Sequence, residues 1–216
     1  MTLRSEPVPA VWRRVPPPPE SVAEPLPAYV DAMTTLVQPI VRADDLSVVA
    51  YEALSRFPHT DDVERLFQHA HTAGHGDLLE IEALRRALAL PDRPDDVDLF
   101  VNVSERAIRS QRFWAALADD LTGIMVELHE SRAGLDEESV DRILERFRER
   151  GARICHDDVG VHAQDLDRIA SLHPDVMKID RRWVDHCDER PGSAGVITSM
   201  AEFAKARGVT VCAEGA

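Results

Sequence analysis

The sequence predicts an α/β fold, a TIM-like (β/α) barrel entered through an N-terminal β-hairpin. Three observations carry that prediction. Short apolar runs of strand length alternate with helical periodicity along most of the chain. A polar turn joins two strand-like runs ahead of that alternation. Residues able to do chemistry stand at the C-terminal ends of the successive strands, where a barrel gathers its site.

The elements follow in order. Residues 1–32 hold Pro7, Pro9, the run Pro16 to Pro19, Pro25 and Pro27. Proline removes backbone donors and disfavours helix and central strand, so this stretch reads as a disordered tail or linker. A polyproline ligand for a partner is the alternative reading. Residues 33–216 read as one domain. Thr35 to Val41 and Ser47 to Tyr51 form the hairpin across Arg42-Ala43-Asp44-Asp45. Val63, Leu66, Phe67 and Ala70, then Leu78, Ile81, Leu84 and Leu88, mark two helices. Strands at Leu99 to Val101, Ile124 to Val126, Arg153 to Cys155 and Val176-Met177 each precede a helix, near 113–121, 140–148, 166–172 and 194–206. Val209 to Cys212 is the last strand. Deleting residues 1–25 is expected to move the melting temperature by less than ~5 °C, because such a tail buries little apolar surface. A larger drop in a thermal melt would show that the tail packs on the barrel.

Composition narrows the function. With 216 residues, 44% of them hydrophobic, the chain can bury a real core. A net charge of -14, with 25 Lys and Arg against 39 Asp and Glu, argues against a nucleic acid polymer as partner, since no basic excess is available to neutralise a phosphate backbone. No apolar run approaches the ~20 residues of a membrane span, and no secretory signal is visible. Cys155, Cys187 and Cys212 show no Cys-x-x-Cys spacing and read as reduced thiols of a cytoplasmic protein, with Cys155 and Cys212 in the core.

The strand ends deliver Glu52, Asn102, Glu127, Asp157 and Asp158, Lys178 and Glu214. Five carboxylates round one mouth would repel unless cations sat among them, and one lysine does not balance them. Carboxylates with an amide suit hard cations, Mg2+ or Mn2+, and two such ions suit phosphodiester cleavage. An acidic residue after a strand often only caps the next helix, and for Glu127 or Asp158 alone that explanation is as good. Repetition over successive strands favours a site. His69, His71 and His75 invite a zinc reading, but nothing completes such a site, and they are expected on a solvated surface. His129 and His156 are expected to support the site or to be buried beside it.

Seven short motifs then fall into one order: Gln38-Pro39-Ile40, Tyr51-Glu52-Ala53-Leu54-Ser55-Arg56, Asn102-Val103-Ser104, Glu127-Leu128-His129-Glu130, Asp157-Asp158, Lys178-Ile179-Asp180 and Ala213-Glu214-Gly215. Together they resemble the EAL domain, a cytosolic bacterial module that binds cyclic di-GMP and, in active members, hydrolyses it on divalent metals. The resemblance implies that Glu52, Asn102, Glu127, Asp157 and Asp158 hold two Mg2+ or Mn2+ ions, with Glu214 close by. Lys178 would orient or help deprotonate the attacking water, acting with Glu52 and Glu214 in catalysis. Gln38, Arg56 and Asp180 would face the substrate, and Glu130 would brace the loop after the Asp pair. Partners implied are cyclic di-GMP, a second copy in a homodimer and an upstream sensor protein.

Two departures from the family stand out. After Asp157-Asp158 the family continues Phe-Gly-Thr-Gly-Tyr-Ser-Ser-Leu, whereas this chain has Val159-Gly160-Val161-His162-Ala163-Gln164-Asp165-Leu166. In the family that loop couples dimerisation to metal and substrate binding. The chain also stops after Glu214-Gly215-Ala216, where the family adds a final strand and helix, so the barrel is expected to be incomplete at its C-terminus. Metal-dependent hydrolysis of cyclic di-GMP to linear pGpG is therefore the leading expectation. A catalytically weak or inactive receptor for cyclic di-GMP, or a protein-interaction module, is the alternative.

Overall fold

Seven strands lie side by side in the order in which the chain makes them. The computed structural model describes residues 28–58, 60–91, 94, 97–129, 137–160 and 172–215. A short helix α1 (Ala28–Asp31) leads into the hairpin of β1 (Thr34–Val41) and β2 (Val48–Arg56), which pair antiparallel. Then come α2 (Val63–Thr72), α3 (Gly76–Leu88), β3 (Asp98–Ser104), α4 (Gln111–Ala116), β4 (Ile124–His129), α5 (Glu137–Arg148) and β5 (Arg153–Val159). The chain continues through β6 (Val176–Ile179), α6 (Arg181–Val184), α7 (Pro191–Arg207) and β7 (Thr210–Ala213). From β2 onward every neighbouring pair is parallel. The sheet curls as an incomplete barrel, and among the described residues β1 and β7 are its two edges.

Strand alternation sorts the side chains into an outer and an inner face. Leu99, Val101 and Val103 of β3, Ile124, Val126 and Leu128 of β4 and Ile154 of β5 point outward, against Leu84 and Leu88 of α3, Phe113 and Trp114 of α4 and Leu144 and Phe147 of α5. Both faces of these strands are covered, so they read as near-continuous apolar runs. The inner face is layered. Asp98 and Arg153 pair near the strand starts. Above them lies an apolar layer of Ala50, Phe100, Met125, Cys155 and Val176, with Cys212 packed against it. The next inward positions are Glu52, Asn102, Glu127, Asp157 and Lys178.

Local chemistry sets the helix ends. The Asp62 carboxylate accepts from the Arg65 N–H at 3.0 Å and starts α2. Pro191 opens α7, and Gly208, with φ +71°, closes it in the left-handed region that a side chain would strain.

Three expectations need correction. The helix expected near 113–121 ends at Ala116. Asp120 accepts from the Thr122 N–H at 2.9 Å and Gly123 takes φ +75°, so residues 117–123 turn instead, while Leu121 is still buried. The second hairpin strand does not stop at Tyr51 but runs to Arg56, because β1 pairs with it as far as Thr34 opposite Arg56. His71 is not a solvated residue. Its Nε2 meets the buried Glu80 Oε1, and Glu80 also accepts from the Ser104 N–H at 3.0 Å and hydroxyl at 2.5 Å. That network ties α2 and α3 to the end of β3. The helix expected near 166–172 lies outside the described residues except for Leu172.

Cys155 is buried, as expected, while Cys212 is half-buried at the mouth. Burial raises both thiols above their ordinary range, Cys212 to about 11, with Lys178 pulling the other way. No helix among the described residues is long and apolar enough to cross a membrane.

Candidate metal centre

Parallel strands place residues of equal height at one end of the sheet. Glu127 pairs in register with Asn102 across β3 and β4, and Lys178 with Cys212 across β6 and β7. Glu214 follows β7 directly, its N–H donating to the Ile179 carbonyl at 3.2 Å. Lys178 therefore projects into a ring of acids. Its Nζ lies 2.7 Å from Glu214 Oε1, 3.1 Å from Glu52 Oε2 and 3.7 Å from Asp157 Oδ1, and it also donates to Glu127 Oε1. Asn102 Nδ2 donates to Glu52 Oε1 at 3.3 Å.

Two consecutive acids on a straight strand would point to opposite faces. Here His156 pairs with Met177 and Val159 with Ile179, so three steps of β5 match two of β6. The extra residue is a β-bulge. Asp158 takes up the irregularity with φ +53°, in the left-handed region that Asp tolerates better than most residues. The bulge brings Asp157 and Asp158 to one mouth.

The charges do not balance. Burial raises the Glu127 carboxyl well above the ordinary carboxylate range; Lys178 opposes the rise, and Glu52 and Asp157 add to it. Burial likewise raises Glu214, again against the pull of Lys178. Burial disfavours the charge on Lys178, but Glu127, Asp157 and Glu52 outweigh it and hold the ammonium above the ordinary lysine range. Lys178 thus stays charged, and the excess lies on the acidic side. Glu127 Oε2 is buried with no hydrogen-bond donor among the described residues. Glu52, Glu127 and Glu214 each offer an oxygen within 4.8 Å of the others, as do Asp157, Asp158 and Glu214. This donor set, all oxygen and short of positive charge, fits divalent hard cations at two neighbouring positions that share Glu214.

Among the other expected site residues, Gln38 sits on β1 opposite Glu52, and its side chain is exposed. Arg56 is exposed at the end of β2, its guanidinium donating to the Ser55 carbonyl at 2.9 Å. Asp180 caps α6, its Oδ1 accepting from the Arg182 backbone and Nε, both at 2.8 Å. Glu130 and residues 161–171, with most of the divergent loop, lie outside the described residues. His156 is buried on the outward-facing side of β5. Sequence reasoning passed over Trp183, whose indole N–H donates to the Gly160 carbonyl at 2.9 Å beside the bulge. The adjoining glycine was the one visible signal.

The family profile described as "EAL domain" matches residues 30–216. The cyclic di-GMP phosphodiesterase RocR of Pseudomonas aeruginosa is 26% identical over 206 residues, spanning 82% of this chain and 49% of that protein. The EAL-domain containing protein YkuI of Bacillus subtilis is 25% identical over 199 residues, spanning 86% of this chain and 49% of its own length. A crystal structure of YkuI with substrate c-di-GMP and calcium superposes with a TM-score of 0.63 over 84% of this chain and 48% of that one, at 25% identity. The Klebsiella pneumoniae BlrP1 calcium/cy-diGMP complex gives a TM-score of 0.70 at 21% identity, over 88% of this chain and 51% of that one, and shows the fold alone. The chain thus spans about half the length of these relatives.

Proposed function

The chain belongs to the EAL domain family, and from that premise we propose that it binds cyclic di-GMP at the acidic mouth and hydrolyses it, on Mg2+ or Mn2+, to linear pGpG. One observation carries the reading: a single ammonium, Lys178, stands among carboxylates contributed by β2, β4, β5 and the end of β7. The residues that would hold cations are Glu52, Asn102, Glu127 and Glu214 on one side and Asp157, Asp158 and Glu214 on the other. Bound there, the cations supply Lewis-acid stabilisation of phosphoryl oxygens and a water of lowered pKa.

The chain's own residues divide the remaining work. Lys178, among these carboxylates, would orient the attacking water or help to deprotonate it. A carboxylate of the ring would accept the water's proton. Water oxygen joins phosphorus, one phosphorus–oxygen bond to ribose breaks, and a proton ends on the released ribose oxygen. Arg56 and Gln38, both at the hairpin, suit a phosphate and a base edge, the guanidinium fork matching phosphate oxygens. Asp180 and Glu130 are assigned to substrate contact and loop bracing by resemblance. We place the module in the cytoplasm, working as a homodimer and answering an upstream sensor.

The altered sequence after Asp157-Asp158, with His162 where the family has glycine, favours a second reading, a receptor that binds the nucleotide without turning it over. Incubation with cyclic di-GMP and Mn2+, followed by chromatography of the nucleotides, separates the two. Linear product that vanishes with a chelator is expected. Calorimetric binding with no product would establish the receptor, and no binding would overturn both.

A further inference from the structure

We infer that Trp183 is a positioning residue for the Asp157-Asp158 pair, acting through the hydrogen bond from its indole N–H to the Gly160 carbonyl. The inference rests on the proposed metal site and extends it to a residue outside the ligand ring.

Asp158 holds a positive φ of +53°. A single strained residue persists only where its surroundings over-determine it. On the N-terminal side, register supplies the constraint, with Cys155 opposite Val176 and His156 opposite Met177. On the C-terminal side, Val159 is fully buried and its carbonyl accepts from the Asp180 N–H at 3.2 Å. Gly160 comes next, with φ +97°, in the left-handed half of the map as well. Two left-handed residues so close together leave the chain direction poorly determined by the backbone alone. The Trp183 indole fixes it by donating to the Gly160 carbonyl at 2.9 Å.

Trp183 is itself well placed for this. Its backbone N–H donates to the Asp180 carbonyl at 3.0 Å, and α6 begins on the Asp180 side-chain cap. Its ring packs in the cluster of Val159, Met177, Ile179 and Met200. The approach is close. A Cβ on Gly160 would lie 2.6 Å from Trp183 Nε1 and 2.6 Å from Met200 Cε. Glycine therefore serves two needs here, the positive φ and the contact with the indole. Phenylalanine would fill the ring's space but could not donate, so one N–H separates a packing role from a positioning role.

The test is Mn2+ binding by calorimetry, without nucleotide, on the parent chain and on Trp183→Phe and Met200→Leu, with thermal melts of each. A hydrogen bond of ordinary net strength predicts Mn2+ affinity about 3- to 10-fold weaker in Trp183→Phe. Met200→Leu, a near-isosteric change at the same contact, is expected to bind like the parent. If Trp183→Phe binds Mn2+ as tightly as the parent, the inference is wrong. Equal weakening in both variants, tracking equal losses of melting temperature, also overturns it, since packing alone would then be at work. Should Trp183→Phe fail to fold, Gly160→Ala reads the same link by displacing the indole, and parent-like affinity there counts against it. A parent chain that takes up no Mn2+ overturns the metal site, and this inference with it. A parent that binds, beside an unaffected Trp183→Phe, removes the inference alone.

Discussion

Glu52→Ala is expected to lower Mn2+-dependent release of linear product by ~100- to 1,000-fold, the range that loss of one preorganised electrostatic group costs, while the fold survives. Glu52 is shared by three parts of the mouth. It meets Lys178 at 3.1 Å and Asn102 at 3.3 Å, and it completes the carboxylate group with Glu127 and Glu214. Truncation removes an oxygen ligand and lets the Asn102 amide turn. Stability should change little, because Lys178 keeps Glu127, Glu214 and Asp157 and no apolar cavity opens. A shift within about 1 kcal/mol is a few degrees for a chain of this length. Product chromatography and a thermal melt on the same preparation check both halves. Turnover equal to the parent's would sink the ligand assignment.

Lys178→Met is expected to cost stability as well as turnover. The Lys178 side chain is 4% exposed, Glu127 0% and Asp157 6%, so the variant leaves buried carboxylates facing one another without a counterion. Removing one partner from a buried pair costs about 3–5 kcal/mol. The metal-free variant should melt ~10 °C below the parent. Mn2+ should then raise its melting temperature by more than it raises the parent's, because the cation now answers the whole excess charge. A variant that melts with the parent in the absence of metal would show that Lys178 is not the charge holding this ring together.

Much of this was legible in the sequence because strand alternation is a strict rule. Once Phe100 and Val101 are assigned to a strand, Asn102 must share a face with Phe100, and parallel neighbours bring Glu127 level with it. What escaped was everything that depends on a departure from regularity. Nothing in Asp157-Asp158 says that three residues of β5 will match two of β6. Helical periodicity near Phe113 continued on paper through Leu121, but the Asp120 to Thr122 hydrogen bond and Gly123 turn the chain first. His71 looked solvated because its partner Glu80 lies nine residues away on another helix, and only the closing of α2 onto α3 buries the pair.

The separations along the chain carry a consequence for the timing of assembly. Glu80 reaches His71 across 9 residues and Ser104 across 24, so α2, α3 and β3 can join early, while the loops to be closed are short. Lys178 reaches Glu127 across 51 residues and Glu52 across 126. The charged ring cannot form until β6 has docked at one end of the sheet and the hairpin at the other. Until then each carboxylate keeps its water, and a cation finds nothing to chelate. On the proposed reading, divalent metal would recognise only the chain that has finished folding. Its protection against amide exchange should reach back to β2 rather than stay at the mouth, making uptake of Mn2+ a measure of completion as much as of affinity.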